Sequence, residues 1–377
     1  VYKRQSFDTR IWASDWLQKK FKKARFHQFM VHPHEDREPI ILRDAAKVAL
    51  EYTDTPETKR MRSVLSNYNE LLSKTHIDIY DLEVPVLEVG EGKRKMRLQI
   101  TQQDKFVRRI FNNTSFDQGG RFFGGWWQQC PKEMREFIFI EGSYTSEIDY
   151  SGLHPVLMYA RAGVDYWEEV GADPYEIPTP SWWPATMKLR EVAKRLLLLA
   201  INASDETKAY SAFRNDSPDG SDEKKMTNRQ LSELLESLKL KHSRIADQLA
   251  SGVGISLMKT DSEITARIIS HFIDLDVPIL TIHDSYLVPL GYEYELMDVM
   301  KAAFTEVTGL PNPRFKSDRE LPHEAEQLTD DYPVPVTTDR YKESLAEFRR
   351  FHELPEFPDW HDGARDRLHA RGVWEFY

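Results

Sequence analysis

The sequence has little cysteine, since Cys130 is the one cysteine in the chain. A lone thiol excludes an internal disulfide and a cysteine-based zinc site, and it favours a reducing compartment. The sequence also lacks an apolar run long enough to span a membrane, and it lacks a secretory signal pattern. These absences lead us to expect a cytoplasmic protein with no membrane partner.

The chain also has no excess of positive charge. It has 51 Lys and Arg residues and 61 Asp and Glu residues, which gives a net charge of −10. This balance argues against a protein that simply coats nucleic acid. Basic residues are nevertheless clustered, and each cluster taken alone is typical of a solvated helix face. Together they are compatible with a phosphate-lined groove on an acidic body. The clusters are Lys19–Arg25, Lys93–Arg97, Lys105–Arg109 and Lys188–Arg195.

A strand that ends in an aspartate is predicted at Thr145–Tyr150, because its residues alternate with a period of two. Ser151 and Gly152 break the pattern, and a helix is predicted from Leu153 to Ala160. A carboxylate at a strand tip is well placed to hold a hard cation. The alternative for Asp149 is a simple helix cap.

A second acidic tip is predicted far along the chain, in Val277–Leu290. Two β-prone runs flank His283-Asp284-Ser285, a pattern typical of a hairpin with Asp284 at its turn. Two such carboxylates can share two divalent ions about 4 Å apart, which is the arrangement for in-line attack on phosphorus. The pair therefore favours phosphoryl or nucleotidyl transfer.

Two further segments bear on this chemistry. The helix predicted over Met187–Ala203 places Arg190, Lys194 and Leu198 on one face, so it could hold a triphosphate at its basic end. The alternative is a core helix with a charged, exposed end. In the glycine-rich segment Phe116–Pro131, close backbone approach could bring Arg121 to a phosphate backbone, or the segment could be a turn packed by tryptophans.

The rest of the sequence is predicted to contain both helices and hairpins. Residues 1 to about 80 are predicted to be mostly helical, including 45–52 and 61–73, and 105–116 is predicted to be a helix. Hairpins are predicted over 83–101 and over 137–150. Further helices are predicted at 227–250, 255–275, 294–308 and 341–352, with an extended crossing segment at 311–335.

Four short stretches, in this order, resemble motifs of one superfamily, that of the family A DNA polymerases and the single-subunit (phage- and mitochondrial-type) RNA polymerases. Asp117-Gln118-Gly119-Gly120-Arg121 resembles DxxGR, and Asp149-Tyr150-Ser151 resembles the DYS form of motif A. Arg190–Arg195 with Leu199-Ala200 is similar to motif B of the RNA polymerases, RxxxKR followed by LA. His283-Asp284-Ser285 resembles their motif C, HDS. Each motif is weak alone, and the ordered set is a strong joint signal.

The resemblance, which covers about 116–289, implies an α+β fold. We expect a right-hand, polymerase-like palm built on a small antiparallel sheet, mostly helical fingers and a helical N-terminal region. The resemblance also divides the chain into five regions: a thumb-like or accessory region, a first part of the palm, the fingers, a second part of the palm and a C-terminal extension. The corresponding residues are 1–104, 105–162, 163–250, 251–310 and 311–377.

The resemblance also implies roles for single residues. Asp149 and Asp284 would ligate two Mg²⁺ ions, with Mn²⁺ as an alternative and the Tyr150 carbonyl assisting. Lys194 and Arg190 would hold the triphosphate of the incoming nucleotide, Lys194 would also neutralise or protonate the leaving pyrophosphate, and Arg195 is a weaker phosphate ligand. On the nucleic-acid side, Arg121 with Gly120 would contact the backbone and His283 would pack beside the primer end.

Two positions depart from the superfamily pattern. Ile201-Asn202 replaces the Tyr-Gly pair that ends motif B, and His154 occupies the motif A position that faces the 2′-hydroxyl in DNA polymerases. Both positions lie on the nucleotide side of the implied site, so neither branch's rule for sugar choice applies directly. Ile201 and His154 are therefore included among the predicted nucleotide-binding residues.

The leading hypothesis is a template-directed nucleotidyltransferase that uses two metal ions, nucleoside triphosphates and a nucleic-acid template or primer. RNA synthesis or priming is favoured, because DxxGR, RxxxKR and HDS match the RNA branch. The alternatives are a DNA polymerase of the family A type and a template-independent terminal nucleotidyltransferase. A two-metal nuclease and a non-catalytic binding module derived from a polymerase are weaker hypotheses, and the sequence indicates no protein partner.

Overall fold

The structure of the chain is a computed structural model that describes residues 13–24, 37–90, 95–318, 337–355, 360–361 and 366–367. The chain divides into two units, Val1–Arg37 and Glu38–Tyr377. The described part of the first unit contains the helix α1 (Asp15–Ala24), whose first turn carries Asp15, where a negative charge suits the helix dipole. No helix among the described residues is both long and apolar enough to cross a membrane.

The second unit mixes helices and short strands, which confirms the α+β class. Its helices are α2 (Pro56–Ser73), α3 (Lys132–Arg135), α4 (Leu153–Arg161), α5 (Tyr166–Glu169), α6 (Leu189–Asn202), α7 (Glu206–Asp216), α8 (Asp222–Lys225), α9 (Asn228–Lys241), α10 (Gly254–Asp274), α11 (Glu293–Thr308) and α12 (Asp339–Phe351). Its strands are β1 (Ile40–Arg43), β2 (Ala49–Leu50), β3 (Ile77–Ile79), β4 (Val86–Val89), β5 (Met96–Gln99), β6 (Arg108–Asn112), β7 (Ser115–Phe123), β8 (Ile138–Ile140), β9 (Thr145–Tyr150), β10 (Leu280–Ile282), β11 (Ser285–Pro289) and β12 (Phe315–Ser317).

The antiparallel sheet that carries both acidic tips has the strand order β10-β11-β9-β12. β10 and β11 are joined by the two-residue turn His283-Asp284, and His283 takes a positive φ of 59°. Histidine enters this left-handed region more often than most side chains do, so the turn is accessible without glycine. A second sheet has the order β2-β1-β6-β7, and the strand pairs β3–β8 and β4–β5 stand apart.

The long helix α10 connects these sheets. It packs against β7, α11 and α2, and its buried face includes Leu257, Ile264 and Ile268. Each such side chain contributes about 1.5–3 kcal/mol of burial free energy. Because α10 leads directly into β10, its packing fixes where the Asp284 turn lies.

The glycine-rich segment is packed rather than open. Its first part forms β7, while Trp126 and Trp127 are fully buried just after the strand. The Trp127 indole Nε1–H donates to the Thr281 carbonyl over 3.2 Å, which ties the segment to β10. The interpretation in which these tryptophans pack the segment therefore holds, although a strand replaces most of the expected turn.

Several sequence predictions of secondary structure are wrong. Residues 105–116 form β6 and the start of β7 instead of a helix, because the apolar side chains of β6 pair into the second sheet. Residues 45–52 contain β2, so the described part of the region 1–104 holds five strands and is less helical than predicted. β8 and β9 are not a hairpin, since β8 pairs with β3 while β9 lies between β11 and β12. By contrast, the helices predicted at 255–275, 294–308 and 341–352 are confirmed.

Part of the basic cluster at 105–109 is also buried, in contrast to the predicted solvated face. Lys105 donates through Nζ to the Thr75 carbonyl over 2.6 Å, and burial lowers its pKa to about 7. Arg109 pairs with Glu263 of α10 at 2.9 Å. These cations hold the fold together, so they are not part of a phosphate groove.

Candidate active site

The two acidic tips, Asp149 and Asp284, meet on adjacent strands although they lie 135 positions apart in the sequence. Ser285 is directly opposite Asp149 in the β9–β11 ladder, and the Tyr150 N–H donates to the Asp284 carbonyl over 3.4 Å. Both side chains line the same two cavities. We refer to Asp149 and Asp284 as the acidic pair.

The charge of the acidic pair is poorly tolerated without a cation. Burial, and then the negative charge of Asp284, raise the pKa of Asp149 from its ordinary value of 3.8 to about 7. The positive charge of Lys194 opposes this rise. A bound cation would stabilise the ionised form of Asp149, because it offsets the repulsion between the two carboxylates that favours protonation.

The larger cavity beside the acidic pair has a volume of about 680 Å³, which falls within the range of ~300–1,000 Å³ for small-molecule sites. We call it the main cavity. The strand-to-helix turn Ser151-Gly152 forms part of its wall, and Gly152 takes φ +66° where a Cβ would lie 2.9 Å from Pro174. Only glycine allows the chain to turn this sharply against that loop.

The basic face of α6 lines the main cavity, where Arg190 and Lys194 differ in their contacts. Arg190 is paired with Asp173 at 2.7 Å. Lys194 lies 5.6 Å from the centre of the Tyr175 ring and has no carboxylate partner among the described residues. The charge of Lys194 is therefore available to a phosphate group.

Several residues that line the main cavity were not predicted from the sequence, among them Lys132, Asp173, Tyr175, Arg314 and Lys316. Tyr175 sits on a loop that His242 fixes by donating from Nε2 to the Pro174 carbonyl over 2.8 Å. Lys316 lies on the edge strand β12, directly opposite Asp149. The alternation in Phe315–Ser317 was the one local signal for that strand, and it is too short to show which strand it joins.

Arg121 lies near the acidic pair with its guanidinium already engaged. Its Nε donates to the buried Asp261 over 2.6 Å, and its Nη2 donates to His154 Nε2 over 2.8 Å. Because arginine only donates, His154 accepts at Nε2 and is neutral. Burial and the charge of Arg121 accordingly lower the pKa of His154 to about 4. The backbone contact predicted for Arg121 stays a prediction, and its observed partners belong to the protein.

The other predicted site residues lie at different distances from the cavity. His154 and Tyr150 line it, while Ile201 is fully buried on α6 and does not. Arg195 stacks 4.3 Å from the centre of the Phe213 ring and lines a separate cavity behind α6. A Cβ on Gly120 would lie 2.6 Å from the Phe111 ring, so this glycine serves the packing of β7. His283 is exposed at the hairpin turn.

A complete protein cage for a metal is not built here, because no group of three or more His, Cys, Asp or Glu side chains within the described ranges could hold an ion. The acidic pair offers carboxylate oxygens, which are ligands that Mg²⁺ prefers. Magnesium commonly retains waters and takes substrate phosphates as its remaining ligands. The acidic pair therefore fits a magnesium ion whose remaining ligands are water or a substrate phosphate.

The raised pKa of Asp149 predicts how stability depends on pH. The folded state binds this proton more tightly than the unfolded chain, so its stabilisation is present at low pH and is lost as the pH rises through about 7. Without metal, we expect the stability advantage of Asp149→Asn over the wild type to be about 1–3 kcal/mol larger at pH 8 than at pH 5. Urea denaturation in EDTA measures it.

The same series has an internal control, since Mg²⁺ is expected to stabilise the wild type at pH 8 and to have little effect on Asp149→Asn. Stability curves of the two proteins that run parallel from pH 5 to pH 8 would show that Asp149 does not carry this proton.

Comparison with known proteins adds a limited structural likeness. No family model and no curated protein matches the chain. Among solved structures, the chain is similar to the POL domain of Pol1 from M. smegmatis in complex with DNA primer-template and dNTP, with 14% identity and a TM-score of 0.34. The match covers 56% of this chain and 47% of that one, so it spans about half of each.

Proposed function

We propose that this chain is a metal-dependent nucleotidyltransferase that adds nucleoside monophosphates to the 3′-hydroxyl of a nucleic-acid strand under the direction of a template. Within that class we propose a compact DNA-dependent RNA polymerase or primase-like enzyme, because three of its four motifs resemble the RNA branch. The observation that carries the proposal is the acidic pair beside a cavity whose lysines Lys132, Lys194 and Lys316 have no carboxylate partner in the described part of the chain.

Of these groups, the acidic pair and Lys194 suit a nucleoside triphosphate. The acidic pair and the Tyr150 carbonyl would hold two Mg²⁺ or Mn²⁺ ions, which supply charge neutralisation and activate a hydroxyl nucleophile when bound. Lys194 supports the phosphates from the α6 side, where it can neutralise or protonate the leaving pyrophosphate. Arg190, which pairs with Asp173 at 2.7 Å, lines the same cavity one helical turn before Lys194 and would be a further phosphate ligand.

The decisive experiment is an incorporation assay with a labelled primer on a defined template, Mg²⁺, and either NTPs or dNTPs. We expect templated extension with NTPs. Lys194→Gln should reduce it about 100-fold with a raised KM for the nucleotide, since it removes one charge from the phosphate site. Lys342→Gln is the matched control, because that lysine is 63% exposed on α12.

Two results would contradict the proposal: no incorporation by the wild type with any template and either metal, or full activity in Lys194→Gln. Preference for dNTPs would select the DNA polymerase alternative.

Template-independent extension is the second candidate. The observation that favours it is the full burial of Ile201, so the residue at the position of the motif B tyrosine offers no side chain for a templating base to contact. Extension of a single strand, with a product sequence that ignores the template, would select this function.

A further inference from the structure

A second cavity, of about 240 Å³, lies against the acidic pair and is distinct from the main cavity. Four residues line both cavities: Lys132, Asp149, Asp284 and Lys316. Lys194 and Arg190 line only the main cavity of the two, while Arg135, Glu147 and Ser285 line only the second. The acidic pair and the two lysines therefore form the boundary between two spaces.

The arginine of the second cavity is neutralised, and its lysines are not. Arg135 binds Glu147 through two hydrogen bonds of 2.7 and 2.8 Å, a bidentate pair whose charges cancel. Lys132 and Lys316 form no ion pair with a carboxylate among the residues that the structure describes, although the charge of Lys132 acts on Asp149 at longer range. Two lysine charges that are not held in an ion pair thus face the second cavity beside the acidic pair.

Lys316 is held by the sheet itself. It lies directly opposite Asp149 in the β9–β12 ladder, so the two side chains project from the same face, with Cβ atoms about 4.5–5.5 Å apart. Beyond it, Asp318 accepts from the Glu147 N–H over 2.8 Å, which secures the end of β12. At the other end the Arg314 carbonyl accepts from the Ser151 N–H over 2.8 Å, so the lysine is presented from a strand with two anchored ends.

In-line transfer needs the attacking and leaving oxygens on opposite sides of the phosphorus, and metal ions at the acidic pair would stabilise both oxygens. If the triphosphate occupies the main cavity with Lys194, the acceptor hydroxyl approaches from the second cavity, a step that rests on the proposed function. The second cavity is smaller than the ~300 Å³ typical of the smallest ligand pockets, so it can take only part of a nucleotide.

We propose that Lys132 and Lys316 bind the terminal phosphodiester of the acceptor strand, the linkage between its last two nucleotides. The two ammonium groups neutralise that phosphate and so position the 3′-hydroxyl at the acidic pair. Neither lysine takes part in bond making, so both are positioning residues for the acceptor. The site distinguishes a strand with a terminal phosphodiester from a free nucleoside or a strand whose last linkage is uncharged.

The test compares two oligonucleotides of one sequence, which differ only in a phosphodiester or an uncharged methylphosphonate as the terminal linkage. Binding is measured by fluorescence anisotropy with Ca²⁺ in place of Mg²⁺, which separates it from turnover. We expect the wild type to bind the phosphodiester about tenfold more tightly, and Lys316→Gln and Lys132→Gln each to lose most of that preference. Lys316→Arg should keep it, since the charge remains.

Kinetics and salt dependence give a second readout. Lys316→Gln should raise KM for the acceptor about tenfold and leave KM for the nucleotide within about twofold of the wild type. The slope of log Kd against log salt for a single-stranded acceptor should fall by about 0.7. Lys342→Gln is again the matched control, because its exposed lysine lies on α12.

Equal binding of the two oligonucleotides by the wild type overturns the proposal, whatever the catalytic activity. A rise in KM for the nucleotide alone also overturns it, because the lysines would then serve the triphosphate. A wild type that incorporates no nucleotide but prefers the charged linkage, and loses this preference in Lys316→Gln, would refute the proposed function and support the phosphodiester site.

Discussion

Asp149→Asn is expected to lower the rate of nucleotide incorporation by about a thousandfold or more, which corresponds to about 4 kcal/mol of transition-state stabilisation. The asparagine keeps the shape of the side chain and the β9 ladder, and it removes the negative charge that a metal ion needs. Asp284→Asn should have a similar effect. Because the two carboxylates act as a unit, the double variant should lose little more than either single variant.

The measurement is single-turnover primer extension with saturating nucleotide and Mg²⁺, which isolates the chemical step. Asp339→Asn is the matched control, since this carboxylate is 95% exposed on α12 and lies outside both cavities. Incorporation by Asp149→Asn at more than a tenth of the wild-type rate would remove Asp149 from the metal-binding role.

Arg121→Ala is expected to destabilise the fold by about 3–5 kcal/mol at pH 8. Asp261 is 1% exposed, and its Oδ1 has no hydrogen-bond partner among the described residues, so the Arg121 contact to Oδ2 is what compensates its charge. Removing the guanidinium would leave a buried carboxylate unpaired. Urea denaturation of the metal-free proteins measures the change in unfolding free energy.

The pH dependence of this loss has a defined sign. Burial already raises the pKa of Asp261 to about 6, against the opposing charge of Arg121. Without Arg121 the pKa rises further, so protonation neutralises the unpaired group and the destabilisation shrinks as the pH falls from 8 to 5. The double variant Arg121→Leu with Asp261→Leu should recover most of the stability, because it removes both charges together.

This pair of variants also separates two roles for Arg121. If Arg121→Ala is as stable as the wild type at pH 8 but binds nucleic acid more weakly, the structural role is refuted and the backbone contact implied by the resemblance gains support. A loss of stability that the double variant rescues would support Arg121 as a brace between β7 and α10.

Local pattern predicted the parts of the candidate site that depend on neighbouring residues. The strand ending at Asp149, the turn at Asp284 and the helix with Arg190 and Lys194 were each readable from alternation, turn residues or helical spacing. The β4–β5 hairpin was predicted for the same reason. The segment 105–116 was assigned wrongly, because isolated apolar residues in a short run fit a helix and a strand equally well.

The pairing of segments that lie far apart in the chain could not be predicted from local sequence pattern. Nothing near Lys316 in the sequence indicates that its strand would lie beside β9, and nothing near Arg121 indicates that a buried acid on α10 would take its guanidinium. Such partners are chosen by the packing of whole elements, which the period of a single segment does not encode.

The amino-acid sequence by itself determined which chemistry this protein carries: two acidic tips, a basic helix face and short turns that allow them to be presented. Only the tertiary structure decided which cations remain available to a ligand, because it pairs Arg121, Arg135 and Arg190 with carboxylates and leaves Lys132, Lys194 and Lys316 without one among the described residues. The physical reason is that a charge belongs to the sequence, whereas its neutralisation depends on which groups folding brings within a few ångströms.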